Sequence, residues 1–353
     1  MSKAHSHLWP GVPLALGSAA LFGAVSPLSK VILEAVSPLM LAGLLYLGAG
    51  LGLGLFWICR RSIGRDQNEA ALQPTDFPWL CAAIAMGGVV GPVLLMSGLA
   101  LTTASSAALL LNVEGLATMA VAWLVFRENV DQRLLMGAGA ILCGAVVLAW
   151  TGQGVTLDSG ALLVVGACVA WGIDNNLTRK ISASDPVTIA MLKGLVAGTV
   201  NIGLALISGA TFPHASSLRA AAAVGFLGVG VSLVMFILAL RHLGTARTGA
   251  YYSLAPFIGA LLAILLLGEP LTVRLLVAGA LMAVGLYLHL AERHVHEHEH
   301  EALEHEHSHV HDEHHQHPHD GPVTEPHSHW HKHVPMRHKH PHYPDLHHRH
   351  EHQ

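Results

Sequence analysis

The chain has 353 residues, of which 52% are hydrophobic and only 12% are charged. This composition excludes an ordinary water-soluble globular domain, in which about a quarter of the residues are charged. The four cysteines include no C-x-x-C pair, so they predict neither a zinc knuckle nor a disulfide framework. The formal net charge of −4 counts 28 histidines as neutral and therefore changes with pH and bound metal; we infer no nucleic-acid partner from it.

Ten apolar segments follow one another from the N-terminus, each close to the ~20 residues that a membrane-spanning helix needs. They are predicted at Val12–Leu33, Leu39–Cys59, Trp79–Leu99, Ser105–Phe126, Leu134–Trp150, Gly160–Leu177, Val187–Ser208, Ala220–Leu240, Thr248–Leu267 and Leu275–Leu290. The first segment is long enough to span the membrane and has no small-residue cleavage site, so it is interpreted as an uncleaved helix. The connections are mostly short, which predicts that sequential helices are antiparallel neighbours.

The loop charges predict the orientation of these helices. With residues 1–10 inside, the connections on that side carry ten Lys and Arg residues before the C-terminal tail, and the opposite side carries three. Positively charged loops favour the cytoplasmic side of a membrane. We therefore expect a multi-pass protein of the inner membrane with both termini in the cytoplasm.

An internal repeat divides the apolar part of the chain. Residues 109–140 align with 250–281 at a shift of 141, and a weaker match at a shift of 149 places Phe22 opposite Trp171. We predict two five-helix units, at residues 11–152 and 159–292. An odd number of helices in each unit means that the two copies enter the membrane in opposite senses, which places a substrate path between them.

The residues of these units resemble a known family. The stretch Ala239–Leu288, with the pair Gly268-Glu269, and its counterpart ending at Glu128 look like the EamA repeat of the drug/metabolite transporter superfamily. Both copies are present, so the resemblance covers nearly all of residues 11–291. It implies ten helices, cytoplasmic termini and secondary transport, usually export, rather than an enzymatic activity. The chain also carries no ATP-binding motif.

A few polar residues within the apolar helices are candidates for function, because an ionisable group there costs about 2.5–3.5 kcal/mol on insertion scales. Glu114 in the fourth segment and Asp174 in the sixth belong to different units and are predicted to face one cavity, where they would bind a cation or exchange a proton. Alternatively, Asp174 is a helix-end charge near Arg179. Lys193 in the seventh segment is predicted either to neutralise one of the acids or to reach towards the interface. The full candidate substrate and coupling set is Glu114, Asp174, Asn112, Asn175, Asn176 and Lys193.

Two other groups of residues are interpreted as structural. The repeated glutamates Glu128 and Glu269 are predicted to be charges at loop turns. The glycines within Gly48–Gly54 superficially match a phosphate-binding loop, but they lie in a spanning segment with no preceding strand. Together with the pair Gly194 and Gly198, they are predicted to let helices pack closely in lipid.

The C-terminal tail, residues 293–353, holds 23 of the 28 histidines, many in H-x-H spacing. A segment this polar cannot bury enough apolar surface to fold alone, so a disordered cytoplasmic tail is predicted. Neutral imidazole suits Zn²⁺, Ni²⁺, Cu²⁺ and Co²⁺. The alternatives are a pH-responsive tail and a solvated tail without function. The predicted metal ligands are His294, His296, His298, His300, His305, His307, His309, His311, His314, His315, His317, His319, His327, His329, His331 and His333.

Three functions follow as hypotheses. Members of the superfamily associated with nickel and cobalt resistance carry histidine-rich tails, and this resemblance implies proton-driven efflux of Ni²⁺ or Co²⁺ that the tail collects. The second hypothesis is export of a small organic metabolite or amino acid, with the tail as a metal-responsive regulator. The third is a membrane-tethered metal buffer or sensor. In each case we expect membrane lipid as the surroundings, no tightly bound cofactor, and Ni²⁺, Co²⁺ or Zn²⁺ as ligand or substrate.

Overall fold

The structure is a computed structural model that describes residues 11–62, 72–126, 132–150, 157–181 and 184–290, together with four short segments of the tail. Ten apolar helices occupy the first five ranges. Seven of them are long and apolar enough to cross a membrane, and three are shorter. They are α1 Gly11–Ile32, α2 Pro38–Ser62, α3 Pro74–Leu101, α4 at 104–126, α5 Gln132–Ala149, α6 Ser159–Arg179, α7 Pro186–Ile207, α8 at 215–252, α9 Ala255–Leu267 and α10 Val273–Leu290.

The predicted all-α membrane fold is confirmed, and each helix corresponds to one predicted segment. The largest difference lies at the end of α8, which continues to Tyr252, whereas a loop was expected before Thr248. The charged residues there end the apolar segment, but this part of the sequence contains no proline that would end the helix. A hydropathy pattern therefore predicts where the apolar segment ends, but it does not predict where the helix ends.

The outer surface of the helices is apolar, as lipid requires. Large side chains are far more exposed than in a soluble protein, with Leu124 at 72%, Val273 at 77% and Ile207 at 85% of their full accessibility. Such a continuous apolar surface marks an interaction with membrane or protein. In a bundle of ten apolar helices, the surrounding lipid accounts for it.

The packing follows a pseudo-two-fold axis that relates the two predicted units. Each of three helices packs against its own repeat equivalent, in the pairs α2–α7, α4–α9 and α5–α10. Other contacts are also related by the repeat. α1 packs on α8 and α9, and its equivalent α6 packs on α3 and α4, which are the equivalents of α8 and α9. These pairings confirm the inverted-repeat arrangement.

Glycines bring α2 and α7 into close contact. A Cβ atom added to Gly50 would lie 2.5 Å from the backbone nitrogen of Leu195, and one added to Gly194 would lie 2.7 Å from that of Gly50. A larger residue at either position would push the backbones apart. The predicted packing role of these glycines is confirmed.

Two helices contain a π-helical turn at equivalent positions. Ile84–Val90 in α3 and Gly225–Val231 in α8 are separated by the repeat shift of 141 residues. Such turns occur often at functional sites. In α3 the turn brings Gly87 against Asp174 of α6, and in α8 it brings Gly228 against Val25 of α1.

Helical structure is interrupted at three places near the centre of the bundle. α1 consists of Gly11–Gly23 and Val25–Ile32, and α4 consists of Ala104–Leu110 and Val113–Phe126. A matching break separates α8 from α9 at residues 253–254, again about 141 residues after the break in α4. The interruptions leave backbone groups and helix ends in the middle of the bundle, where polar ligands are bound in many transporters.

The described part of the tail consists of four short strands. It forms two antiparallel pairs, β1 His294–Glu299 with β4 Arg337–His342, and β2 Glu304–His309 with β3 His327–Lys332. The register places Glu297 opposite Lys339, a pairing of opposite charges that favours antiparallel strands. A two-stranded pair is only marginally stable in water. These short pairs leave the expectation of a tail that does not fold alone unchanged.

Candidate functional site

A cavity of about 140 Å³ lies between the two repeats. Its walls come from six helices and are mostly apolar or aromatic. Among the lining residues, Glu114 is the one with an ionisable carboxyl group. The lining consists of Phe22, Val25, Ser26, Leu45, Tyr46, Pro92, Leu95, Met96, Leu111, Glu114, Trp171, Val229 and Tyr252.

The break in α4 positions Glu114. The helix stops after Leu110 and restarts at Val113, so Glu114 lies in the first turn of the second half-helix. A carboxylate is favoured there because the unpaired N–H groups give the start of a helix a partial positive charge. Asn175 of α6 donates to Glu114 Oε1 at 3.0 Å and to Thr118 Oγ1 at 3.1 Å. One unit of the repeat therefore orients the carboxylate of the other.

The other candidate acid lies outside the cavity lining. Asp174 is buried and forms an ion pair with Lys193, which connects α6 to α7. Thr178 donates a further hydrogen bond to Asp174 Oδ1 at 3.1 Å. Lys193 was predicted to neutralise one of the acids, and the acid that it contacts is Asp174. Asp174 was predicted to face the same cavity as Glu114, but it does not line that cavity.

The two remaining candidates make backbone contacts. Asn112 donates to the carbonyl of Leu109 at 2.8 Å, within the break of α4. Asn176 donates to the carbonyls of Thr118 and Gly172, at 3.0 and 2.8 Å. Both amides add a side-chain hydrogen bond to carbonyl groups at the break of α4 or at the contact between α6 and α4.

Aromatic residues complete the cavity wall, and the sequence did not single them out as site residues. Tyr46 Oη and Trp171 Nε1 both donate to the carbonyl of Gly87, at 2.8 and 2.9 Å. The π-helical turn of α3 presents this carbonyl. Phe22 and Trp171, which align in the repeat, both line the cavity. That alignment was the sequence signal from which these positions could have been found.

A second cavity of about 340 Å³ opens at the end of the bundle predicted to face outward. Glu269 lies beside it, and its two carboxylate oxygens accept hydrogen bonds from the backbone N–H groups of Ala104 and Ser105 at 2.7 and 2.8 Å. It therefore caps the start of α4, in agreement with the structural role predicted for it. The equivalent Glu128 lies outside the described residues.

The predicted metal ligands are described only as backbone or not at all. Nine of the sixteen histidines lie in strands β1 to β3, and the other seven, His300, His311, His314, His315, His317, His319 and His333, lie outside the described residues. In the described part of the chain, no group of three His, Cys, Asp or Glu side chains comes close enough together to hold a metal ion.

Known proteins resemble this chain along most of its length. An uncharacterized transporter of Methanothermobacter thermautotrophicus is 29% identical over 283 residues, which cover 76% of this chain and 82% of that protein. A probable amino-acid metabolite efflux pump of Salmonella typhimurium is 27% identical over 282 residues, with coverages of 74% and 88%. A protein of known crystal structure superposes with a TM-score of 0.59 at 19% identity, covering 79% of this chain and 95% of its own, and supports the fold alone.

The model of the EamA-like transporter family matches twice, at residues 9–150 and 158–291. The two matches follow the inverted repeat seen in the packing of the helices. With its ten apolar helices and the cavity between its two halves, the chain is a membrane transporter that belongs to the EamA-like transporter family.

Proposed function

We propose that the protein exports a small organic metabolite with a free amine, such as an amino acid, through the central cavity. The observation that carries this proposal is the single carboxylate of Glu114 in a wall that is otherwise apolar and aromatic. An ammonium group would pair with the carboxylate and lie near the rings of Tyr46 and Trp171, which attract cations. The apolar walls would contact the hydrocarbon part of the substrate.

The size of the cavity limits the substrate. A dry protein cavity of about 150 Å³ holds a molecule of the size of benzene. The central cavity is of similar size, about 140 Å³, which suits a small or medium amino acid. The Salmonella relative, a probable amino-acid metabolite efflux pump, supports both the substrate class and the outward direction.

A bare divalent metal is a poorer match to this cavity. Ni²⁺ and Co²⁺ bind sites in which several nitrogen or oxygen donors converge, whereas the lining offers one carboxylate and three hydroxyl groups. The histidine-rich tail nevertheless favours metal efflux as the second candidate function, because imidazole at alternate positions is a good ligand for these ions. In the leading proposal the tail instead acts as a metal-responsive regulator.

Binding to the purified protein in lipid nanodiscs tests the proposal. We expect at least one of L-threonine, L-valine and L-leucine to bind, and its N-acetyl derivative not to bind, since acetylation removes the positive charge. A hydrogen bond to a charged group contributes about 1.5–3 kcal/mol, so Glu114→Gln should weaken binding by about 10- to 100-fold. Glu34→Gln, at an exposed glutamate in the connection between α1 and α2, is the matched control. Equal binding of free and acetylated amino acids would contradict the proposal.

A further inference from the structure

The ion pair of Asp174 and Lys193 is buried inside the helix bundle. Their side chains are only 6% and 18% exposed, and no other salt bridge is seen between described side chains. A buried pair adds little to stability, because the two charges lose their hydration when they leave water. Its presence in an apolar protein therefore requires another explanation.

The first repeat shows that the fold does not need this pair. The shift of 149 residues between α1 and α6 places Val25 at the position of Asp174. The helices α2 and α7 begin at Pro38 and Pro186, and aligning these two prolines places Leu45 at the position of Lys193. The surrounding packing is the same in both halves, because Gly87 lies against Asp174 as Gly228 lies against Val25. In the first half, apolar residues thus stand at the positions that the charged pair occupies in the second half.

Two short paths connect the ion pair to the central cavity. The carboxylate of Asp174 lies against Gly87, whose carbonyl accepts the hydrogen bonds from Tyr46 and Trp171 in the cavity wall. Along the chain, the next residue is Asn175, which holds the carboxylate of Glu114. A movement of α6 at Asp174 would therefore change both the wall of the cavity and its charged group.

We propose that Asp174 is the proton-coupling carboxylate of the transporter, and that Lys193 competes with the proton for it. A proton from the outer side binds Asp174 Oδ2, and Lys193 keeps its own protons but loses its partner. Release of the proton to the cytoplasm restores the ion pair. With an amino-acid zwitterion as the exported substrate, each cycle then carries one positive charge inward. The separation of α6 from α7 accompanies the protonated state.

The surroundings of Asp174 suit this competition. Lys193 of α7 pairs with it directly, Glu114 of α4 and Tyr46 of α2 interact with it electrostatically, and α3 presents the backbone of Gly87. Glu114 interacts electrostatically with both members of the pair. An ammonium substrate bound at Glu114 would favour loss of the proton from Asp174, so that substrate and proton exchange for each other.

The transport test rests on the proposed function, and it uses proteoliposomes with radiolabelled L-leucine, L-valine or L-threonine. The double variant Asp174→Val with Lys193→Leu installs the residues of the first repeat. We expect it to continue counterflow exchange of the amino acid but to lose accumulation driven by a pH gradient, whereas Glu34→Gln retains both. Accumulation equal to that of the wild-type protein would overturn the proposal.

A second measurement needs no substrate and remains decisive if no amino acid is transported or the double variant fails to fold. The acid-minus-neutral infrared difference spectrum of the full chain in nanodiscs should contain the C=O stretch of a newly protonated carboxyl group. Compared with the wild-type spectrum, the contribution of Asp174 to this band should be missing in Asp174→Asn, remain in Glu114→Gln, and appear at higher pH in Lys193→Met, because the competing ammonium is gone. An unchanged band in Asp174→Asn would overturn the coupling role, whereas a failure of amino-acid binding alone would overturn only the proposed substrate.

Discussion

The equivalent glycines Gly87 and Gly228 allow a comparison in which each position is the control for the other. A methyl group at Gly228 would overlap the side chain of Val25, and one at Gly87 would overlap the carboxylate of Asp174. Extra methyl groups in a packed core cost about 1–3 kcal/mol. The substitution Gly228→Ala should therefore lower the free energy of unfolding by about this amount.

The substitution Gly87→Ala should cost more, because it also displaces Asp174 from Lys193. Removing one partner of a buried ion pair costs about 3–5 kcal/mol, and partial separation should approach that range. Gly203 in α7 has no atom within 4 Å of an added Cβ. Gly203→Ala should therefore be neutral or stabilising by up to about 1 kcal/mol.

Unfolding of the purified variants by sodium dodecyl sulfate in mixed micelles measures these free energies. We expect Gly203→Ala to be the most stable, Gly228→Ala to follow, and Gly87→Ala to be the least stable. Lys193→Met in the Gly87→Ala background should cost much less than in the wild-type protein, because the pair is already separated. Equal losses at Gly87 and Gly228 would refute the argument that the charged pair distinguishes the two halves.

Three further predictions concern the cavity wall, a helix cap and the tail. Trp171→Phe removes the hydrogen bond to Gly87, so calorimetry should show amino-acid binding weakened by about 1 kcal/mol; unchanged affinity would argue against a role of this wall. Glu269→Ala removes both cap bonds of α4 and should lower the free energy of unfolding by about 1–2 kcal/mol, whereas Glu269→Gln should lose less. Deletion of residues 294–353 should abolish most Ni²⁺ binding in equilibrium dialysis but leave amino-acid flux in metal-free buffer unchanged; a loss of flux there would contradict a purely regulatory tail.

The helical fold of the membrane part was largely predictable from the sequence, for a physical reason. In lipid every spanning segment must satisfy its own backbone hydrogen bonds, so a long apolar run is a helix. The repeat shift of 141 residues then relates the two halves, and the same shift relates the π-helical turns at Ile84–Val90 and Gly225–Val231. The turns themselves could not be predicted, since nothing in their composition separates them from the α-helix around them.

The cavity was predictable only in part. Glu114 stood out because a charge in an apolar helix is rare, but Tyr46, Leu45 and Tyr252 resemble any other apolar or aromatic residue of the bundle. In water, hydrophobic periodicity separates the inner face of a helix from the outer face. In lipid both faces are apolar, so the lining of a cavity does not appear in the pattern.

The position of Asp174 could also not be predicted from the sequence. The sequence identifies it as an acid in a helix, yet whether it faces Glu114 or Lys193 depends on the rotation of α6. The structure resolves this through Gly87, which leaves room for the Asp174 carboxylate behind the cavity wall. The partner of Asp174 could therefore be assigned only from the packing of α3, α6 and α7.

The central claim is that an amine-bearing organic solute, held by Glu114, crosses the membrane through the cavity between the repeats. Flux from inside-out proteoliposomes tests it most directly, with labelled L-leucine, L-valine and L-threonine beside Ni²⁺, Co²⁺ and Zn²⁺. We predict saturable movement of at least one amino acid, its loss in Glu114→Gln and its retention in Glu34→Gln. Movement of Ni²⁺ or Co²⁺ with no amino-acid flux would contradict the account and favour metal efflux.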